Sequence, residues 1–583
     1  MKNETRNYNI KKVKETIENN VSYKAAKRKL ASGKSQLIAL KGEDGRLIHD
    51  RDQIVTHVRD YYQNLYSSKV HVDPPTITVD IDDDIPPVEG DEVAKALKEM
   101  KRGKAPGNDE ILVDVLKEGG DIVLDQLAKL FTLCIERNQI PDSWNNALII
   151  LIHKKGDIKD VKNYRPISLL SNTYKLFTKV LTNRVTRILD FNQPREQAGF
   201  RSGFSTTDHL HTLNQLIEKT CEYRQPLCVA FVDYAQAFDS IETQAVITDL
   251  QQQGVHYKYI KLIEMMYSKA TATIHLHKDS DEFPINRGVR QGDTISPKLF
   301  NAALEAIFRK ISWESKGINI DGERLNHLRF ADDIILIAED GHNLEEMLNE
   351  LSIESNKVGL KINMKKTKVM FNQFCREQKI MLDSTEIEKV DHYIYLGQQI
   401  RMDHELLDEV KRRTRAGWSA FGNLNDIMRS NMPVCLKRKV FNQCVLPAMT
   451  YGSETWAVTK KMEQKLKTTQ HSMERTMLGI SKWDRKTLQW IRNQTKVTDI
   501  MQSIRRKKWK WAGHLARTSD NRWTKRVTEW RPWLGSRHRG RQKLRWSDEL
   551  TKLIGIKWIA TAHDRHLWHQ LGEAFALQWA DHG

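Results

Sequence analysis

Two apolar runs, each leading into aspartate, constrain the fold of this chain more than any other feature of its sequence. The first run, residues 227–232, is short and uninterrupted, as in a buried strand, and it leads directly into Asp233. The second, residues 328–338, is interrupted by Asp332 and Asp333, a pattern that predicts a strand, a tight turn and a second strand. Asp233 and Asp332 can then meet at one end of a sheet.

Carboxylates in that position suit hard divalent cations, because Mg²⁺ prefers oxygen ligands and retains places for water and substrate phosphates. Two such ions about 3.5 to 4 Å apart can activate a 3′-hydroxyl and stabilise a leaving pyrophosphate. We therefore predict that Asp233, Asp332 and Asp333 are catalytic and that Asp233 and Asp332 are metal ligands. Asp333 points to the opposite face from Asp332 unless the turn redirects it. Each motif alone has an ordinary explanation, since Asp-Asp is a common turn dipeptide and an aspartate after a strand often caps a helix.

The rest of the chain predicts an α+β architecture with basic surfaces. Strands and helices alternate without a fixed repeat from about residue 147 to residue 400, and the pattern then becomes mainly helical. Residues 1–72 are expected to form a helical N-terminal extension, and residues 73–90, with four prolines and an acidic run, to form a linker. The formal net charge of +18 favours a polyanionic partner such as nucleic acid or anionic lipid.

Two further features predict an intracellular protein. The longest apolar run, residues 147–152, is far shorter than the ~18 residues needed to span a bilayer, and the basic start of the chain has no apolar signal region. The six cysteines include no CxxC pair, which argues against a disulfide scaffold or a zinc finger and fits a reducing compartment. We therefore expect no membrane partner.

Several other motifs accompany the acidic ones in a fixed order along the chain. In that order they are Asn163-Tyr164-Arg165-Pro166-Ile167-Ser168; Phe231-Val232-Asp233 with Ala237-Phe238-Asp239; Arg290-Gln291-Gly292-Asp293 with Ser296-Pro297; Phe330-Ala331-Asp332-Asp333; Gly359-Leu360-Lys361-Ile362-Asn363 with Lys366-Thr367-Lys368; and Tyr395-Leu396-Gly397. Together they resemble the fingers, palm and primer-grip motifs of reverse transcriptases, in the version found in non-LTR (LINE-like) retrotransposons.

The resemblance implies a right-hand polymerase fold, with fingers and palm over residues 91–400, a helical thumb over 401–480 and a basic, Trp-rich helical region over 481–583. It also implies an RNA-directed DNA polymerase that extends a 3′-hydroxyl primer with dNTPs and two Mg²⁺ ions, for which Mn²⁺ can substitute. The expected partners are an RNA template and a DNA primer or target, and the expected site of action is the nucleus. No endonuclease motif is visible, so we expect the polymerase part of such an element, without nuclease activity.

Three side chains are expected to bind the phosphates and sugar of the nucleotide. Arg165 and Lys154 are candidates for the triphosphate, because a planar guanidinium binds phosphate through two hydrogen bonds and an ammonium acts as a point charge. The resemblance places Phe238 beneath the incoming sugar, where its ring would exclude a 2′-hydroxyl. Lys154 could instead belong to a solvated face, and Phe238 could be a helix core residue.

Three more residues complete the expected nucleotide site. Gln291 and Gly292 lie in a loop that resembles the one packed on the template base and nucleotide, and glycine there permits a close backbone approach. Lys366 could protonate pyrophosphate, although Lys365 and Lys368 compete for that role and a solvated lysine cluster is an alternative.

Expected contacts to nucleic acid fall in three segments. They are the primer-grip turn (Tyr395, Leu396 and Gly397), the fingers loop (Lys101, Arg102 and Lys104) and the tail cluster (Arg505, Arg506, Lys507, Lys508 and Trp509). The tail cluster belongs to residues 501–550, which carry 15 Lys/Arg and 4 Asp/Glu with interleaved tryptophans. Cations there would neutralise phosphates while indoles stack on bases. Alternatively the tryptophans form the core of a small bundle, since Trp509 and Trp511 cannot share one helix face.

Two other functions remain open at this stage. A catalytically silent nucleic-acid-binding relic of a retroelement would keep the basic surfaces and bind RNA without extending primers. An RNA-dependent RNA polymerase shares the palm chemistry, but the Gln291-Gly292 loop and the aromatic Phe238 point away from it.

Overall fold

The N-terminal region packs as helices around a small hairpin. The computed structural model describes residues 2–19, 37–42, 44–73, 85–532 and 543–577. The first elements are helix α1 (Lys2–Glu18), strands β1 (Leu40–Lys41) and β2 (Leu47–Ile48), and helix α2 (Arg51–Tyr66). The antiparallel β1–β2 pair interrupts the predicted helical extension, because the chain reverses within the glycine-containing turn between the two strands. Most of the predicted linker, residues 74–84, lies outside the described residues.

The next part of the chain builds a first sheet, here called the fingers sheet, and begins a second. Its elements are α3 (Gly90–Glu99), α4 (Val113–Glu118), α5 (Gly120–Glu136), β3 (Asn146–His153), β4 (Tyr164–Leu169), α6 (Asn172–Phe191), α7 (Thr206–Tyr223), β5 (Cys228–Val232), α8 (Ala237–Ser240), α9 (Thr243–Gln252), α10 (Tyr257–Ser268), β6 (Thr271–Ile274), β7 (Phe283–Pro284) and α11 (Ser296–Arg309). The fingers sheet has the order β4-β3-β6-β7, with β3 and β6 parallel. Ile54, Val58 and Tyr62 of α2 share a core with Ile149 of β3 and Ala272 of β6, so the N-terminal extension is packed onto the fingers.

The second sheet, here called the palm sheet, has the order β10-β11-β5-β12 and is antiparallel throughout. The elements that complete it and follow it are β8 (Ile318–Ile320), β9 (Glu323–Leu325), β10 (His327–Phe330), β11 (Asp333–Ala338), α12 (Gly341–Lys357), β12 (Lys368–Phe371), β13 (Met381–Leu382), β14 (Thr385–Glu386), β15 (Tyr393–Tyr395) and β16 (Gln398–Ile400). Every residue of β5 is buried. Its side chains alternate between two cores, with Ala230 and Val232 in one and Val229 and Phe231 in the other, as expected for a strand covered on both faces.

Beyond residue 400 the described chain is helical, as the sequence predicts. Its helices are α13 (Leu407–Gly422), α14 (Asn425–Met428), α15 (Val434–Val440), a π-helical turn (Phe441–Val445), α16 (Leu446–Met449), α17 (Lys460–Leu478), α18 (Leu488–Thr495), α19 (Ile500–Arg517), α20 (Trp523–Glu529), α21 (Asp548–Ile554), α22 (Trp558–His563) and α23 (Arg565–Leu577). Short 3₁₀ turns occur at Asp142–Trp144, Val161–Asn163, Ser453–Thr455 and Lys482–Asp484. Within the described ranges, no helix is both long and apolar enough to cross a bilayer.

The predicted thumb and tail are joined to the rest of the molecule by shared cores. Helices α13 to α17 enclose one core, to which α1 contributes Val13 and Ile17 and the start of α19 contributes Ile500 and Ile504. Helix α20 packs behind the palm sheet, where Trp523 lies in the same core as Phe231 of β5. The C-terminal region is therefore folded against the palm sheet and the N-terminal helix α1.

Candidate active site

The palm sheet brings the three predicted aspartates to one end. Val232 of β5 pairs with Ile334 of β11 in an antiparallel register. Asp233, which follows Val232, and Asp333, which precedes Ile334, therefore lie at the same edge of the sheet. Phe330 pairs with Asp333 in the β10–β11 hairpin, which leaves Ala331 and Asp332 as its two turn residues. The turn therefore places Asp332 beside the other two carboxylates.

The hairpin tip is held by a segment that the sequence analysis did not identify. The amides of Ala331 and Gly199 donate hydrogen bonds to the same side-chain oxygen of Gln197, at 3.0 and 2.8 Å. A Cβ atom on Gly199 would lie 2.3 Å from the amide nitrogen of Ala331, so the close approach of the two backbones requires glycine. Gly199 is the residue in the sequence that signals this contact.

Burial and the proximity of other carboxylates both act on the aspartates at this sheet end. Burial, together with the charges of Asp332 and Asp233, raises the pKa of Asp333 to about 6. Burial and the charge of Asp233 also raise the pKa of Asp332. Both shifts are due first to burial and then to the neighbouring carboxylates. An all-oxygen donor set fits a hard divalent cation.

The carboxylates are not drawn together into a ligand set in this structure. Among the described residues, no three His, Cys, Asp or Glu side chains have the arrangement of a ready-made metal centre. The Nζ atom of Lys366 lies 2.9 Å from Oδ2 of Asp233 and donates a hydrogen bond to it, so this ammonium compensates one of the charges.

The predicted cations surround the same sheet end. Lys154 follows β3, and its amide donates to the carbonyl oxygen of Asn163 at 2.9 Å, which keeps it beside Arg165 of β4. Partial desolvation lowers the pKa of Lys154, and the charges of Arg165 and Lys366 lower it further. Lys154 and Arg165 in turn stabilise the charged forms of Asp332 and Asp333. All three cations therefore share one electrostatic site with the carboxylates.

The lysine cluster after the palm hairpin is divided by its contacts. Lys366 reaches Asp233, whereas Lys368 donates to Glu388 at 2.7 Å and is held away from the carboxylates. The turn that carries Lys366 is tied to the strand end, because the amide of Asn363 donates to the carbonyl oxygen of Asp233 at 2.7 Å. The structure thus favours Lys366 over Lys368 as the lysine that faces the site.

Phe238 and the Gln291 loop lie next to one another. The ring of Phe238 is half-buried and stacks on Phe300 at a centroid distance of 4.4 Å. The amide of Val289 donates to the carbonyl oxygen of Phe238 at 2.7 Å, which fixes the loop against the strand-to-helix turn. Gly292 has a φ of +118°, and a Cβ there would lie 2.7 Å from the carbonyl oxygen of Ser168. Helix α11 begins at Ser296, with Pro297 in its first turn.

The predicted primer grip is the turn of the β15–β16 hairpin. Leu396 and Gly397 have φ values of +43° and +78°, as in a two-residue turn with both central residues left-handed. Tyr451 donates to the carbonyl oxygen of Leu396 at 2.8 Å. Tyr393 stacks on Phe231 of β5 at 4.3 Å, which anchors the hairpin to the palm sheet. The hairpin, with Tyr395 buried at its end, is thereby placed beside the strand that leads into Asp233.

The three basic residues of the fingers loop are exposed but differ in their ion pairs. Lys101, Arg102 and Lys104 are all exposed, but Arg102 is paired with Glu118 at 2.7 Å and with Asp114 at 3.6 Å.

The tail cluster requires a correction, because the structure buries most of it. Trp509 stacks on Trp568 at 3.9 Å and donates to the carbonyl oxygen of the same residue at 2.9 Å, so its ring has no free face for a base. Lys508 is fully buried and paired with Glu549 at 2.6 Å. The alternative of a Trp-rich bundle core describes both residues correctly.

The other three residues of the tail cluster are also engaged. Arg505 is buried, with Glu463 at 3.7 Å, and Lys507 donates to the carbonyl oxygen of Thr450 at 2.7 Å. Arg506 remains 39% exposed and is paired with Glu573 at 2.9 Å. Arg506 is thus the member of the cluster that is still accessible to a phosphate.

Comparisons with known proteins identify a family for the part of the chain that holds this site. The family model described as "Reverse transcriptase (RNA-dependent DNA polymerase)" matches residues 152–400, which contain all the residues placed around the carboxylates. An uncharacterised transposon-derived protein of Caenorhabditis elegans is 38% identical over 268 residues, covering 43% of this chain and 96% of the relative.

Two further matches are more distant. The RNA-directed DNA polymerase from the mobile element jockey of Drosophila melanogaster is 25% identical over 391 residues, covering 64% of this chain and 42% of the relative. The structure of apo telomerase from Candida tropicalis aligns with a TM-score of 0.35 and 15% identity, covering 67% of this chain and 69% of that one. The chain thus spans less than half of the jockey polymerase and nearly all of the nematode relative. On the family match and the transposon-derived nematode relative, this chain belongs to the reverse transcriptase family.

Proposed function

We propose that this protein is an RNA-directed DNA polymerase that extends a 3′-hydroxyl primer on an RNA template with dNTPs. The observation that carries the proposal is the meeting of Asp233, Asp332 and Asp333 at one sheet end. Residues from three other parts of the chain, Lys154, Arg165 and Lys366, place positive charge around them. Phosphoryl transfer depends mainly on positioning and charge neutralisation, and this arrangement offers both.

Divalent ions would be held by Asp233 and Asp332, with Asp333 contributing a third carboxylate. We propose Mg²⁺, with Mn²⁺ able to replace it, because the donors are all carboxylate oxygens. When bound, the metal supplies charge neutralisation for the reacting hydroxyl and phosphates. Lys366, whose Nζ atom donates to Oδ2 of Asp233 in this structure, would donate a proton to a pyrophosphate oxygen.

The remaining residues would position the substrates. Arg165 and Lys154 would bind the triphosphate, Phe238 would contact the sugar, and Gln291 with Gly292 would pack on the base pair. The turn formed by Tyr395, Leu396 and Gly397 would support the primer terminus. Lys101 and Lys104 would contact template phosphates from the fingers loop. A DNA target would be met in the nucleus, a placement that fractionation of cells expressing the tagged protein would test.

Primer extension on a primed RNA template, with purified protein and Mg²⁺, tests the proposal. Asp233→Asn and Asp332→Asn should each abolish extension while affinity for the primed template changes little, because the amide keeps the shape of the side chain but loses its charge. Asp125→Asn, an exposed aspartate on α5, is the matched control and should extend like the wild type. An active Asp233 or Asp332 variant would exclude that residue as a metal ligand, and a wild type that binds RNA without extension would instead indicate a silent relic.

A further inference from the structure

Residues 65–70, which lie before the matched polymerase region, are fastened to the loop that carries Gln291. The carbonyl oxygen of Tyr66 accepts hydrogen bonds from the amides of Asn286 and Arg287, at 3.0 and 3.1 Å. The Nε atom of Arg287 donates to the carbonyl oxygen of Leu65 at 2.7 Å. The C-terminal end of α2 therefore forms a strap across the start of this loop.

Glu242 anchors the other side of the strap. Its side chain is buried and accepts hydrogen bonds from the hydroxyl of Ser68 at 2.9 Å and from the amides of Lys69 and Val70 at 2.9 and 3.1 Å. A buried carboxylate with three donors is a specific and costly arrangement, because an uncompensated charge would be strongly unfavourable there. The strap is thus fixed on both sides of Tyr66.

Tyr66 uses this position to contact Asp239, six residues after the proposed metal ligand Asp233. Its hydroxyl donates to Oδ1 of Asp239 at 3.1 Å, and the side-chain amide of Gln291 donates to Oδ2 of the same carboxylate at 2.7 Å. Tyr66 and Asp239 are buried, whereas Gln291 lies at the edge of the site. The three side chains form a continuous chain of hydrogen bonds from the N-terminal helix to the nucleotide loop.

The chemistry of this chain fixes the orientation of the Gln291 amide. A carboxylate accepts hydrogen bonds, so the NH₂ group of Gln291 must face Asp239 and its oxygen must point away from it. Burial raises the pKa of Asp239 to about 7, and the hydrogen bonds from Tyr66 and Gln291 act against this rise because they stabilise the charged form. Loss of the Tyr66 hydroxyl would weaken the acceptor that orients Gln291.

We infer that Tyr66 is a positioning residue for nucleotide binding, which acts through Asp239 to hold the Gln291 side chain in one orientation. The inference rests on the proposed polymerase function and extends the nucleotide site to a segment outside the matched family region. Tyr66 does not touch the nucleotide itself in this scheme. It determines which end of the Gln291 amide the nucleotide meets.

The test compares Tyr66→Phe with Tyr62→Phe in the full chain. Both tyrosines are buried on α2 and their rings lie 6.3 Å apart, but the hydroxyl of Tyr62 faces the carbonyl oxygen of Tyr164 at 3.4 Å instead of Asp239. In primer extension, Tyr66→Phe should raise the KM for dNTP about tenfold, the change in an equilibrium constant that about 1.4 kcal/mol produces, with kcat little changed. Tyr62→Phe should leave both constants near the wild-type values.

A double variant separates positioning from general weakening of the fold. If Tyr66 acts through Gln291, the double variant Tyr66→Phe with Gln291→Ala should have the same KM for dNTP as Gln291→Ala alone. The reason is that Gln291→Ala already removes the side chain that the Tyr66 hydroxyl orients. Fully additive losses, or a KM for Tyr66→Phe equal to that of Tyr62→Phe, would overturn the inference.

Hydrogen exchange provides a readout that does not depend on catalysis. The amide of Ser168 donates to the carbonyl oxygen of Gln291 at 2.9 Å and reports whether the loop is held in place. This amide should exchange faster in Tyr66→Phe than in Tyr62→Phe, and equal exchange in the two variants would contradict the inference. A wild type that fails to extend primers would count against the proposed function, while the exchange result would still decide the role of Tyr66.

Discussion

At the scale of single residues, the position of a side chain distinguishes functions that its residue type alone does not. Phe238 is half-buried and stacked on Phe300, next to the strand end that carries Asp233, so it is neither a fully enclosed core residue nor a free surface ring. Lys366 and Lys368 have the same chemistry, but only the first of them contacts Asp233.

Phe238→Ala should weaken discrimination against ribonucleotides. Removing the ring opens space for a 2′-hydroxyl, and steric exclusion of a small group is typically worth about 10-fold or more in specificity. The measurement is the ratio of rNTP to dNTP incorporation in primer extension. Phe191→Ala, which removes a ring that is 89% exposed on α6, should keep the wild-type ratio. An unchanged ratio in a folded, active Phe238→Ala protein would assign Phe238 to the core alone.

At the scale of secondary-structure elements, backbone contacts place the chemistry. The β10–β11 hairpin carries Asp332 in a two-residue turn, and Gln197 and Gly199 hold that turn from the side. A second element, helix α9, carries the buried carboxyl group of Asp249. Its Oδ2 atom has no hydrogen-bond partner among the described residues, so the contribution of this group to stability depends on pH.

Gly199→Ala should damage catalysis more than folding. The added Cβ would meet the Ala331 amide at 2.3 Å and displace the turn that carries Asp332. Misplacement of a reacting group by about 1 Å can cost on the order of 100-fold in rate, whereas overpacking typically costs about 1 to 3 kcal/mol in stability. Gly422→Ala, where a Cβ meets nothing within 4 Å, is the control. Normal extension by Gly199→Ala would show that the hairpin tolerates the shift.

Asp249→Asn should stabilise the protein increasingly as the pH rises. Burial raises the pKa of Asp249 from 3.8 to about 7, so the folded state holds the proton more tightly than the unfolded state. The free energy of folding that this proton contributes is fully present at pH values below the pKa of Asp249 in the unfolded chain. It is lost as the pH rises through the pKa of Asp249 in the folded protein. Thermal unfolding at pH 5.5 and pH 8 should therefore show a larger gain for the variant at pH 8, by up to about 2 kcal/mol. Equal gains at both pH values would refute the shift.

At the scale of the whole molecule, the C-terminal region is part of the polymerase body. Trp523 is 2% exposed, donates to Glu196 at 2.7 Å and lies under the guanidinium of Arg195 at 4.0 Å. Glu196 directly precedes Gln197, the residue that holds the palm hairpin. Helix α20 thereby supports the segment that positions Asp332.

Trp523→Ala should lower the free energy of unfolding by about 3 to 5 kcal/mol, the usual cost of removing a buried indole. Trp483→Ala removes an indole that is 91% exposed and should change stability by less than about 0.5 kcal/mol. Denaturant unfolding of both variants provides the comparison. Similar midpoints for the two would show that α20 docks without stabilising the palm.

The sequence by itself determined the parts of this protein that depend on local pattern. The sequence correctly predicted a buried strand before Asp233 and a hairpin around Asp332. Both depend on the pattern of apolar and polar residues that are neighbours along the chain. The ordered motifs also identified the family, and the predicted carboxylates and cations do share one site.

Only the tertiary structure decided which partners cover each surface. Periodicity reveals an apolar or charged face but not the element that packs on it, so the tail cluster looked like a nucleic-acid surface until Trp568 and Glu549 were seen to occupy it. The hydrogen bond from Tyr66 to Asp239 joins residues 173 positions apart. Such contacts depend on the packing of whole elements, and no local pattern in the sequence encodes them.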